Sequence, residues 1–209
     1  FKKYQNVIKS QLKTKEVKDV DLLALDNFTH TQNLKARLDF INVLINSNLW
    51  KLDDIDPIDF LYDVLVQNSI SDKDVHEFYK WVKKTIEKNI GFQIEERIFK
   101  LFNEKICKDS KSCQNLSIQA LESYLKVFLD INCKAKNLYY SNQKNKYDML
   151  VLCNPETLIG FDILWKIIFE SFSEEIMNKG IQTLHSLYNN VKSDTNENYS
   201  DILLKKCVD

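Results

Sequence analysis

Thiols, imidazoles and carboxylates are the groups through which this 209-residue chain could do chemistry, and their spacing argues against each use in turn. The cysteines Cys107, Cys113, Cys133, Cys153 and Cys207 are odd in number and contain no CxxC pair. A nucleophilic thiol needs a histidine beside it and donors placed for the developing oxyanion. Cys107, Cys113 and Cys153 fall at or beyond helix ends without a glycine-rich approach loop, which predicts buried or idle thiols. His30, His76 and His185 each stand many residues from a cysteine, so the closely spaced Cys/His ligands of a zinc site are missing. His76 follows Val75, and His185 lies between Leu184 and Leu187 in a helical stretch, which reads as packing or surface.

The carboxylate pairs Asp53-Asp54, Glu95-Glu96 and Glu174-Glu175 are sequence neighbours, so on a helix they diverge by about 100° and cannot act as an acid/base couple. Gly91, Gly160 and Gly180 are solitary, whereas a phosphate-cradling loop needs glycines at fixed spacing. The lysine- and tyrosine-bearing segment Lys134 to Tyr147 could stack on single-stranded nucleic acid. In a chain rich in Lys and Asn throughout, it reads as a solvated loop. No catalytic, cofactor-binding or metal-ligating residue is assigned, and no cofactor is expected.

The elements carrying these residues are helical from end to end. Residues 31–47 place Leu34, Leu38, Ile41, Leu44 and Ile45 on one face. Asp56-Pro57 supplies an N-cap and a proline at the first helical position, ahead of Ile58, Leu61, Tyr62, Leu65 and Val66. Ser71 and Asp74 make an approximate capping box before the stripe Val75, Phe78, Tyr79, Val82 and Ile86, completing an αα-hairpin. Further helices read from Gln93 to Cys107 and from Ser117 to Asn132. Residues 133–148 lose the period and read as a loop or insertion. Asn154-Pro155 repeats the cap-and-proline start before Leu158, Phe161, Leu164, Trp165 and Ile168, and a last helix starts at Ser173-Glu174-Glu175. Trp50, Trp81 and Trp165 fall where core anchors belong.

Bulk properties agree. With 44% hydrophobic residues and a formal net charge of −1, the chain is globular, with no global field to draw nucleic acid or an anionic membrane. Of 29 basic residues only Arg37 and Arg97 carry the guanidinium fork that reads guanine or grips phosphate. Three glycines and two prolines are too few for a sandwich, a barrel or a doubly wound sheet. No apolar run reaches the roughly 18 to 20 residues of a membrane span, and the lysine-rich first twenty residues are not a signal peptide. The fold expected is all-α: armadillo/HEAT-like stacked hairpins, residues 1–209 forming a single helical-repeat region. A start at Phe1 and a last stretch, Ser200 to Asp209, that reads as the opening turns of a helix suggest a window cut from a longer array.

Some residues do more than keep a period. The stretch Asn154 to Tyr188 resembles a helical segment in the amino-terminal region of the fat facets type of ubiquitin-specific protease, with Gly160, Phe161, Asp162, Leu164, Trp165, Ile176, Ile181, Leu184 and Tyr188 in step. Leu38 to Trp50, Asn68 to Trp81 and Leu116 to Cys133 are similar to segments that precede it in the same order. One departure is Gly180, where that family tends to have alanine; a glycine inside a helix costs roughly 1 kcal/mol. The resemblance implies a large deubiquitinase, cleaving ubiquitin from protein conjugates with a Cys-His-Asp/Asn thiol protease domain. No cysteine here has a glycine within four residues before it, so no catalytic residue carries over. This chain would be a noncatalytic scaffold meeting protein partners, ubiquitinated substrates of the parent among them, in the cytoplasm or also the nucleus. A stand-alone helical-repeat adaptor is the alternative.

Overall fold

The computed structural model describes residues 1–15, 19–22, 27–47, 56–87, 92–108, 113–114, 116–141, 149–152 and 157–188. Contacts gather into two compact units, Phe1–Leu101 and Phe102–Asp209, where the sequence reading takes 1–209 as one region.

The first unit holds α1 (Lys2–Lys15), a 3-10 turn (Val20–Leu22), α2 (His30–Asn46), α3 (Pro57–Tyr62), α4 (Asp72–Glu87) and α5 (Phe92–Leu101). Lysines at five of its positions hide α1 from a periodicity search, yet Tyr4 and Ile8, one turn apart, are buried. A reciprocal capping box starts α2: the Thr29 hydroxyl accepts from the Gln32 N–H at 3.2 Å, and the Gln32 side chain accepts from the Thr29 N–H at 2.8 Å. Its stripe of Leu34, Leu38 and Ile41 is buried, as the period requires. Helix α3 begins as the Asp56-Pro57 pair predicts, Asp56 accepting from the Ile58 N–H at 2.9 Å. Its backbone then widens into a π turn, Asp63–Gln67, in which the Asn68 N–H bonds the carbonyl of Asp63. Helix α4 packs against α2 and against this turn, and α5 packs on α3 and α4. Buried Phe78 meets the rings of Tyr62, Tyr79 and Trp81, so the α4 stripe is an aromatic core.

The second unit opens on a π turn (Phe102–Ile106), followed by α6 (Ile118–Lys134), β1 (Leu138–Ser141), β2 (Met149–Leu152), α7 (Phe161–Glu170) and α8 (Glu174–Tyr188). Ser117 caps α6, accepting from the Ala120 N–H at 3.2 Å, and Leu121, Tyr124, Leu125 and Phe128 are buried along it. Two details differ from the sequence reading. Within 133–148, Leu138–Ser141 form a strand paired antiparallel with Met149–Leu152, Leu138 facing Leu152 and Ser141 facing Met149. Residues 142–148 lie outside the described residues. Helix α7 begins at Phe161, because Gly160 turns the chain with φ 82°, a left-handed conformation that suits glycine. The Asn154-Pro155 start lies outside the described residues, as does the proposed turn at Ser200 to Asp209. Leu158, Phe161, Leu164, Trp165 and Ile168 are buried all the same.

The glycine that departs from the family pattern has a packing reason. Gly180 is buried where α8 crosses α7, and a β-carbon there would overlap the Ile168 side chain, itself 4% exposed. Alanine would gain about 1 kcal/mol of helix propensity and pay about 1–3 kcal/mol for overpacking. Gly180→Ala is therefore expected to lower the midpoint of urea unfolding, and a rise in midpoint would contradict the close α7–α8 approach.

Candidate functional site

The structure places the candidate chemistry as follows. Cys107 and Cys113 are buried and Cys133 is half-buried; Cys153, Cys207 and Trp50 lie outside the described residues. The Cys107 thiol is pushed well up from its ordinary range, first by its hydrogen bond with Cys113 and then by burial, so it stays protonated and non-nucleophilic. The charged groups acting on it are Lys166 and Glu170, neither of them a general base of the imidazole kind. His76 and His185 are exposed. Glu95 points inward and Glu96 outward, the divergence expected of helix neighbours. Trp81 and Trp165 are core residues, at 3% and 8% exposure. Among the described residues no group of three or more His, Cys, Asp or Glu could hold a metal ion.

His30 is different. At the first position of α2 it is 1% exposed and is held between two helices distant in sequence. The Tyr4 hydroxyl of α1 donates to His30 Nδ1 at 2.8 Å, and His30 Nε2 lies 2.6 Å from Asp74 Oδ1 of α4. Asp74, 0% exposed, is an acceptor, so the imidazole proton sits on Nε2 and leaves Nδ1 to receive Tyr4. The second Asp74 oxygen accepts the N–H groups of Ile70 at 2.6 Å and Ser71 at 3.4 Å. The Ser71 hydroxyl is buried with no partner among the described residues, so the Ser71/Asp74 capping box is made on one side only. The Arg37 guanidinium carbon lies 4.5 Å from the centre of the Tyr4 ring, and burial pushes the Tyr4 hydroxyl up to about 12.

A second polar layer lies beside the first. Lys73 Nζ meets Asp19 at 2.7 Å and Asp21 at 2.8 Å, and Asp21 accepts both the N–H and the hydroxyl of Thr31. Burial pushes the Asp21 carboxyl up, but the bonds from Lys73 and Thr31 more than reverse this and hold it below the usual carboxylate range. That contribution is present at neutral pH and is lost as pH falls through the lowered value.

A Tyr-His-Asp chain of this geometry has the parts of a proton relay, but both imidazole nitrogens are engaged, His30 and Asp74 are buried, and no thiol adjoins them among the described residues. Its work is to bind α1, α2 and α4 together. The sequence flagged Asp74 only as a local cap and His30 only as remote from cysteine. A histidine one residue after a capping threonine, with an aspartate inside the first turn of a later helix, was the available signal.

The UBP24/USP9X/USP9Y ARM repeat model matches residues 1–132. The chain is also similar to ubiquitin carboxyl-terminal hydrolase 9Y of Homo sapiens, 24% identical over 167 residues, which is 78% of this chain and 6% of that protein. It thus spans a small part of the relative's length. The matched range contains Leu38 to Trp50, Asn68 to Trp81 and all of Leu116 to Cys133 but its last residue, while the Gly160 to Tyr188 motif lies beyond it. With helices paired through short connections in both units, the fold is armadillo-like. A match over well more than half of the chain assigns it: the chain belongs to the UBP24/USP9X/USP9Y ARM repeat family.

Proposed function

We propose that this chain is a noncatalytic scaffold segment of a large ubiquitin-specific protease, whose thiol protease domain lies elsewhere in the parent and removes ubiquitin from protein conjugates. The observation that carries the reading is the ARM repeat match over residues 1–132. Two features of the site support it. The Cys107 thiol is held protonated, and the most elaborate polar cluster, Tyr4-His30-Asp74, is closed on itself. On this reading the segment presents helix faces to conjugated substrates or to partners that bring them, in the cytoplasm.

The test has two arms. The purified chain is expected to release no fluorophore from ubiquitin-rhodamine, and to stay silent when Cys107 or Cys113 is changed to serine. Cleavage lost on such a change would overturn the reading. In the parent protein, deleting these residues is expected to leave thiol labelling by a ubiquitin-based probe intact while slowing removal of ubiquitin from a folded conjugate. Loss of probe labelling would instead put this segment in the catalytic machinery.

A further inference from the structure

We propose that the groove between α2 and α4 is a docking site for an acidic peptide segment, whose carboxylate meets Lys80 and whose oxygen acceptor takes the Trp81 indole N–H. The inference deepens the scaffold reading and rests on it only in taking the chain to work by binding. The groove encloses about 200 Å³, enough for one apolar side chain and its backbone but not for a folded domain. Its buried side is Leu38 and Trp81, at 2% and 3% exposure.

The charges along it are unequal. Lys35 pairs with Glu77 at 3.7 Å and Lys84 with Asp39 at 3.2 Å, so both carboxylates of the groove are already matched. Lys80, exposed on the same lining, has no ion pair among the described residues. Trp81 Nε1 is buried with no hydrogen-bond partner among the described residues, and an indole N–H can only donate. Both unfilled groups therefore ask for the same thing, an oxygen acceptor with negative charge, next to an apolar surface. A buried donor left unmade is a standing cost that an incoming acceptor would relieve. Lys35 and Lys84, whose side chains are 49% and 48% exposed, are the lining residues able to swing aside and admit it. The occupant is a peptide and not a nucleic acid because the buried side of the groove is the apolar surface of Leu38 and Trp81, suited to an apolar side chain, and no arginine lines it to grip a run of phosphates.

The experiment is a titration of the ¹⁵N-labelled chain with an acetylated, amidated decapeptide of Asp, Glu and Leu, following the indole N–H resonances. The Trp81 resonance is expected to move saturably and the Trp165 resonance to stay. Lys80→Glu, an exposed change, should weaken binding about fivefold or more with the thermal midpoint unaltered. Trp81→Phe, which keeps the bulk and removes the donor, should weaken it about fivefold. A matched peptide of Lys and Leu should not bind. An unmoved Trp81 resonance at saturating peptide, an unchanged affinity in Lys80→Glu, or an equal Trp81 shift with poly(U) RNA would each overturn the assignment. None of these outcomes bears on ubiquitin-rhodamine cleavage, so the groove and the noncatalytic reading fail separately.

Discussion

Asp74→Ala is expected to cost the Phe1–Leu101 unit about 3–5 kcal/mol, because it strands buried hydrogen-bond donors at about 1–3 kcal/mol each and opens a void. The carboxylate is 0% exposed and satisfies three donors: His30 Nε2–H at 2.6 Å and the N–H groups of Ile70 and Ser71. The carboxyl group is accommodated there because it sits in the first turn of α4, where N–H groups without helical partners bond its second oxygen. Alanine leaves the imidazole proton and the Ile70 N–H without acceptors in a dry interior and opens a void. Tyr4→Phe should cost less, about 1–2 kcal/mol, since it removes a neutral donor and leaves one imidazole lone pair unmet. In a double-mutant cycle the two changes should be non-additive, because both act through His30. Hydrogen exchange read by mass spectrometry would show protection falling together in α1, α2 and α4. A loss under about 1 kcal/mol, or exchange confined to α1, would mean that the network does not join these helices.

How much of this could be read beforehand depends on the range of the interactions involved. Helix starts at Asp56-Pro57 and Ser117 are local events, one side chain meeting an N–H two or three residues on, and both form where the residue types place them. The stripes on α2, α4, α6 and α7 are likewise a matter of period, and they are buried apart from Leu44, Ile45 and Val75, which are half-buried. What escaped is non-local. Tyr4 lies 26 residues from His30, and Asp74 lies 44 residues from it, so neither bond leaves a pattern in a short window. Asp74 illustrates the limit: one of its oxygens does the capping that its position suggests, and the other holds a buried histidine that nothing local announces. Gly180 looked like a weakness until Ile168, twelve residues earlier, supplied the reason for it. The ribbon was within reach of the sequence. Leu138-Tyr139-Tyr140 and Met149-Leu150-Val151-Leu152 bracket a polar stretch as a hairpin would, but the search for a 3.6-residue period passed over them.

Asn132 is the corresponding non-local anchor of the second unit, and Asn132→Ala is expected to cost it about 2–4 kcal/mol. The side chain is 0% exposed and near the end of α6. Its amide nitrogen donates to the carbonyls of Phe128 at 2.8 Å and Ile159 at 2.9 Å, while its oxygen accepts the Ile159 N–H at 2.9 Å and the Asn137 amide at 3.1 Å. Both backbone groups of one residue in the α7 approach are thus held by one side chain. Tyr124 adds a bond from its hydroxyl to the next carbonyl, that of Gly160, and burial keeps this phenol protonated. Together they fix the residue whose left-handed backbone starts α7. Alanine would strand the Ile159 N–H and carbonyl; because Ile159 is 39% exposed and both of these bonds are only part-buried, water can reach part of what is lost, which limits the cost. Asn132→Asp should be worse at neutral pH, since it presses a carboxylate against two carbonyl oxygens, and should recover in part as pH falls and the protonated carboxyl regains a donor. Urea unfolding of both variants at pH 7 and pH 4.5 would check the order and the sign. An aspartate variant that is no less stable than the alanine one at pH 7, or that weakens further on acidification, would remove Asn132 from this role.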